Sequence, residues 1–165
     1  MKVIKYAVFF LMLGLFAFSC VQPPDYPVAP EIGYIGINQL SIGQGNANSV
    51  DDTLVVQFSF TDGDGDLSGD NDSIDIYFTD SRRGSLIPYR IPLISNQGTG
   101  NGISGEITVR IPNKPFGICC ALEGFSACEP LPGMVDTFSY GIQIRDQANN
   151  FSNKIQTETI TILCN

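Results

Sequence analysis

The sequence predicts an all-β fold, an antiparallel immunoglobulin-like β-sandwich of about seven strands, and three observations carry that prediction. The hydrophobic period is two along most of the chain: Leu54, Val56, Phe58 and Phe60 alternate with Val55, Gln57, Ser59 and Thr61. The alternating runs are short and are closed by Gly, Asn, Asp or Ser turns. No run beyond Ser19 has helical spacing. Short alternating strands with frequent turns are the pattern of two antiparallel sheets packed face to face.

The N-terminus precedes any fold. Lys2 and Lys5 lead into the apolar stretch Tyr6 to Phe18. A helix needs roughly 20 residues to cross about 30 Å of hydrocarbon, so this stretch reads as the core of a signal peptide, residues 1–19. It ends in Phe16-Ala17-Phe18-Ser19-Cys20, which resembles the lipobox of bacterial lipoproteins, although Phe18 stands where that motif commonly has a small residue. The resemblance implies cleavage before Cys20 and a lipid (palmitate) on that cysteine. Ordinary signal cleavage and a retained anchor are the alternatives. Residues 20–31 follow as a lipidated cysteine and a tether with four prolines. Val21-Gln22-Pro23-Pro24-Asp25 has no dense acidic run of the kind that resembles a surface-export signal. The expected place is therefore the cell envelope, at the outer membrane and facing the periplasm.

Residues 32–165 suit one domain with a hydrophobic core. A first strand is expected around Tyr34 to Ile42 and a second over Leu54 to Phe60. Further strands are expected at Ile74–Phe78, Ile87–Leu93, Ile107–Ile111 and Phe138–Ile144. The last, near Lys154 to Leu163, changes phase between Ile155 and Ile160, which predicts a bulge. Pro88 and Pro92 take the outward positions of the fourth strand and place it at a sheet edge.

Directly after the second strand comes Thr61-Asp62-Gly63-Asp64-Gly65-Asp66-Leu67-Ser68-Gly69-Asp70-Asn71-Asp72, with five carboxylates in eleven residues. Asp62, Asp64 and Asp66 at alternate positions can converge if the chain curls, and Gly63 and Gly65 permit positive φ at little cost. Ca²⁺ takes six to eight oxygens at about 2.3–2.6 Å and tolerates irregular loops. The expected cofactor is a structural Ca²⁺ held by Asp62, Asp64, Asp66, Asp70 and Asp72. A second register, Asp64, Asp66, Ser68, Asp72 and Asp75, has the spacing of an EF-hand loop without its helices. The alternatives are another metal, or a solvated acidic turn with no ion. The turn Arg145–Asn150 is expected at the same end, so Asp146 is a further candidate ligand. Otherwise it pairs with Arg145 or backbone.

With Cys20 assigned to lipid, Cys119, Cys120, Cys128 and Cys164 form an even set suited to two disulfides in an oxidising compartment. A bridge between neighbours is strained, so one of Cys119 and Cys120 is expected to join Cys128 and the other Cys164. A four-thiolate zinc site remains possible by residue type, but this is not a zinc-ribbon spacing. Gly100-Asn101-Gly102-Ile103-Ser104-Gly105 satisfies G-x-G-x-x-G, yet it precedes a strand, so it reads as a turn and not a dinucleotide site.

Loss of Lys2 and Lys5 from nine basic residues leaves seven against seventeen acidic ones, a net charge of −10. Such a surface repels nucleic acid phosphates and attracts cations. The chain has no histidine, which excludes Ser-His-Asp and Cys-His triads and His-based zinc sites. Taken together, the lipobox, Phe58-Ser59-Phe60-Thr61-Asp62-Gly63-Asp64-Gly65-Asp66-Leu67, the segment Gln97 to Glu106 and the Cys119-Cys120 pair resemble small uncharacterised Bacteroidota lipoproteins. That resemblance implies localisation and a sandwich, and no activity. The expected role is a non-catalytic, calcium-stabilised envelope lipoprotein acting as an interaction or structural module. Its expected partners are the membrane, through Cys20, and a protein or glycan. A surface glycan-binding module using Tyr34, Tyr77 or Tyr89 is the alternative, and a paired-carboxylate glycosidase survives on residue types alone.

Overall fold

The computed structural model describes residues 25–45, 52–68, 74–92, 94, 102–113 and 117–165. The signal segment, Cys20, Asp70 and Asp72 lie outside the described residues. Ten strands are formed, with no helix among the described residues. They are β1 (Glu31–Ile37), β2 (Ser41–Gly43), β3 (Thr53–Asp62), β4 (Ile76–Asp80), β5 (Leu86–Tyr89), β6 (Ile103–Pro112), β7 (Val135–Phe138), β8 (Tyr140–Ile144), β9 (Ile155–Gln156) and β10 (Ile160–Leu163). The sheet orders are β1-β3-β6, β2-β10-β7 and β5-β4-β8-β9.

Alternation dictates the core. Leu54, Val56, Phe58 and Phe60 of β3 turn inward and stand opposite Ile111, Val109, Ile107 and Gly105 of β6. On the other layer Ile76 and Phe78 of β4 face Ile144 and Ile142 of β8. These residues join one continuous buried cluster. Each large aliphatic or aromatic side chain withdrawn from water there contributes about 1.5–3 kcal/mol. Tyr140 fastens the centre, edge-on to both Phe78 and Phe138 at ring-centroid distances of 5.4 and 4.9 Å. Together the layers form the expected all-β sandwich.

All seven expected strands are present, and three are each broken in two where the chain changes sheets. The Tyr34–Ile42 run becomes β1 and β2, the Phe138–Ile144 run belongs to β7 and β8, and the expected bulge near Ile155–Ile160 is the gap between β9 and β10. At that gap the Thr157 amide donates to the Tyr140 carbonyl at 2.9 Å, and the Tyr140 amide donates back to the Thr157 hydroxyl at 3.0 Å. A side-chain oxygen there completes the ladder while the ribbon bends. The pairing is antiparallel except between β2 and β10, which run parallel: after Leu40 the chain crosses to the free flank of β10. β5 lies at a sheet edge as expected, with Pro88 exposed.

Two disulfides join Cys119 to Cys128 and Cys120 to Cys164, with sequence separations of 9 and 44. They occupy the end where β3 starts and β6 finishes, since Thr53 is opposite Pro112. At that end Arg82 pairs with Asp80 and Asp136, both at 2.6 Å, and donates to the Cys119 carbonyl. The acidic loop leaves β3 at the opposite end.

Candidate metal centre

β3 delivers the first carboxylate. Asp62 is its last residue and continues the inward-facing alternation, so its side chain lies where an apolar residue would be expected. It is 0 % exposed. Leu67, also fully buried, plugs the core five residues later and pins the far side of the loop. Between them the chain must turn sharply, and Gly65 does so at φ 73°. Gly63 does not share that conformation, contrary to the sequence expectation. It is needed for space, because a Cβ there would lie 2.3 Å from the Tyr26 carbonyl oxygen.

The second loop, Arg145–Asn150, is laced onto the first. The Gln147 amide donates to the Asp66 carbonyl at 3.2 Å, and the Ala148 amide to Asp66 Oδ2 at 3.1 Å. The Gln147 side-chain amide reaches the Ser68 carbonyl. Asp146 closes its own turn by accepting from the Asn150 amide and the Asn150 side chain, at 2.7 and 2.8 Å.

As a result, Asp62, Asp66 and Asp146 each offer a carboxylate oxygen, and these oxygens lie within 4.8 Å of one another. Among the described residues, both oxygens of Asp62 and Oδ1 of Asp66 are buried without a hydrogen-bond partner, as is Oδ1 of neighbouring Asp64. No family model, curated protein or solved structure matches this chain. The geometry alone therefore bears the functional reading.

Crowding has an electrostatic consequence. Burial, followed by the charges of Asp64, Asp66 and Asp146, pushes Asp62 up to about 6. The Asp66 amide, close by but outside hydrogen-bond geometry, offsets the smallest part of that shift. Burial and the Asp146 and Asp64 charges push Asp66 up to about 6 as well. The two ion pairs among the described residues both belong to Arg82 at the other end, so neither neutralises the cluster. Hard oxygen donors with no sulfur or imidazole suit a hard divalent cation such as Ca²⁺ or Mg²⁺ and disfavour zinc. The residues present fit a hard divalent cation.

Of the EF-hand register, Asp72 lies outside the described residues, and Asp75 is not in the carboxylate group formed by Asp62, Asp66 and Asp146. The Ser68 hydroxyl accepts from the Ile94 amide at 2.7 Å. Asp75 is held in the sheet, its amide donating to the Tyr89 carbonyl and its own carbonyl accepting from the Arg145 amide. Asp146 does not pair with Arg145, whose side chain reaches the Ile74 carbonyl instead. Sequence reasoning missed Asn150 and the Gln147–Ala148 amides as supports, since no spacing rule relates them to Asp66.

A pH dependence follows. A carboxyl whose folded pKa is raised favours the native state while protonated. In EDTA the stability due to Asp62 and Asp66 is fully present below the unfolded value near 4 and is lost as pH rises through about 6. Asp136 acts in a different window. Burial alone would raise it, but the Ala121 and Thr137 amides and Arg82 together hold it below the usual range, so its contribution is lost only in stronger acid. Melting temperature in EDTA is expected to fall between pH 4.5 and 7, and Ca²⁺ is expected to abolish or reverse that slope. A rising or flat EDTA profile over this interval would contradict the electrostatics.

Proposed function

We propose that this chain is a non-catalytic, calcium-stabilised lipoprotein of the bacterial envelope, serving there as an interaction or structural module. The observation that carries the reading is Asp62, a fully buried carboxylate whose two oxygens have no partner among the described residues, facing Asp66 and Asp146. A divalent cation turns that repulsion into a crosslink between the β3–β4 and β8–β9 connections. The sandwich is then stapled by disulfides at one end and by an ion at the other. The lipobox residues before Cys20 and the Bacteroidota resemblance support an outer-membrane anchor facing the periplasm. The acidic balance disfavours nucleic acid. Carboxylates gathered on one point act as ligands, not as the separated acid and base of a glycosidase. The test is a thermal melt of the full chain in detergent with millimolar Ca²⁺, Mg²⁺ or EDTA.

One feature favours the glycan-binding alternative. Beside the Asp146 turn, Tyr77 packs against Phe151 with ring centroids 5.9 Å apart, Phe151 is 52 % exposed, and the Arg145 guanidinium lies 5.7 Å from the Tyr77 ring centre. An exposed ring beside a half-buried one and a guanidinium resembles a sugar platform. If that reading holds, retention on a glycan array falls at least about tenfold in Tyr77→Ala, the loss of one aromatic contact worth about 1.5 kcal/mol. Absence of retention by the native chain in Ca²⁺ eliminates it.

A further inference from the structure

The sequence expectation for the segment before β1 is a tether, yet Tyr26 and Pro27 lie against the acidic loop. The Gly63 amide, next to Asp62, donates to the Pro27 carbonyl at 2.8 Å. The approach leaves no room for a side chain: a Cβ on Gly63 would meet the Tyr26 and Pro27 carbonyl oxygens at 2.3 and 2.6 Å. On the other side the Tyr26 ring covers Gly102, where a Cβ would meet ring atom Cδ2 at 2.7 Å and the Asp62 carbonyl oxygen at 3.1 Å. Tyr26–Pro27 is thus a strap over the backbone of Asp62, between two glycines that must be bare. Val28 and Ala29 stand in solvent, Pro30 is buried, and Glu31 then pairs with Thr61.

We infer that a cation held by Asp62, Asp66 and Asp146 governs whether the strap Asp25–Pro30 stays docked, an inference that rests on the cation reading above. The mechanism is local. With the ion bound, the Asp62 carboxylate is drawn toward Asp66 and Asp146, which fixes the peptide plane that carries the Gly63 amide. Without it the carboxylates repel, the loop opens, and that amide no longer faces Pro27. A strap with four exposed residues of six, Asp25, Pro27, Val28 and Ala29, belongs to the low-stability part of a fold, where local order responds first.

The consequence is a leash whose length depends on the ion. In a chain anchored at Cys20, six Cα–Cα steps reach Tyr26, about 20 Å at full extension. Release of the strap lengthens this to eleven steps, to Glu31, or about 37 Å. Calcium then holds the domain close to the membrane with its acidic end inward, and calcium loss frees its reach and orientation.

Elastase reads the strap directly, because Val28-Ala29 is a cleavable bond between two blocked by Pro27 and Pro30. Full chain in detergent is digested in 2 mM CaCl₂ or EDTA, with melting temperature recorded in parallel. Calcium is expected to slow cleavage after Val28 at least about tenfold, as cleavage follows the open population. Gly63→Ala and Tyr26→Ala, which keep every carboxylate, are expected to be cut rapidly in both conditions. Tyr26→Ala, which leaves the loop itself untouched, is expected to retain the calcium-dependent melting shift. Equal cleavage rates of the native chain, with the melting shift intact, would overturn the strap and leave the cation site standing. No melting shift in the native chain would remove the cation reading, and the strap proposal with it.

Discussion

Saturating Ca²⁺ is expected to raise the melting temperature of the full chain by about 5–10 °C over EDTA. Binding at about 100 times Kd adds roughly 2.7 kcal/mol to the native state alone, and a domain of this size moves about 2–4 °C per kcal/mol. The unfolded chain gives no competing site of comparable affinity, because Asp62 and Asp146 come together only on folding. Mg²⁺ requires near-octahedral oxygens at about 2.0–2.1 Å and sheds water reluctantly, so its shift is expected to be less than half as large. Asp62→Asn gives the sharper result. It removes a buried charge that no described residue neutralises, so its melting temperature in EDTA is expected to exceed that of the native chain. In Ca²⁺ it is expected not to move. Identical native melts in Ca²⁺, Mg²⁺ and EDTA would refute the metal centre outright.

Removing Cys120–Cys164 is expected to cost more than removing Cys119–Cys128. Loop-closure entropy assigns about 4 kcal/mol to a bridge with separation 44 and about 2.7 kcal/mol to one with separation 9. The corresponding melting losses are about 8–16 °C and about 5–11 °C. Burial acts in the same direction, since Cys164 is 0 % exposed and closes the core behind β10, whereas Cys128 lies near the surface. The longer bridge also ties the excursion after β6 to the C-terminus, where the Leu131 amide donates to the Cys164 carbonyl. Paired alanine variants, Cys120→Ala with Cys164→Ala against Cys119→Ala with Cys128→Ala, test this by melting. An equal or reversed order would mean that loop closure does not govern this end of the sandwich.

Much of the strand layout could be read from period-two alternation, because a half-buried strand writes its two faces into successive residues. β3 and β6 are the clear cases, ten paired positions without an irregularity. What escaped was where strands change sheets. At Ser139 and at Thr157–Glu158–Thr159 the apolar alternation pauses only briefly, and a bulge and a sheet crossing have the same local pattern. The parallel β2–β10 pair was likewise hidden, since partner direction leaves no mark within either strand.

The candidate centre divides along the same line. Local composition alone determined that an acidic, glycine-rich loop would follow β3, because aspartates and glycines at alternate positions bear on charge and turn geometry within a few residues. It also pointed to two bridges in which neighbours Cys119 and Cys120 go to different partners, since a bridge between neighbours is strained. Tertiary structure alone decided which oxygens meet. Asp66 is held by Ala148 across a sequence separation of 82, and only the packing of the sheets brings those loops together. It alone decided the purpose of Gly63 as well. A glycine that serves a turn and one that makes room for a distant strap are the same letter in the sequence, and only the approach of Tyr26 and Pro27 tells them apart.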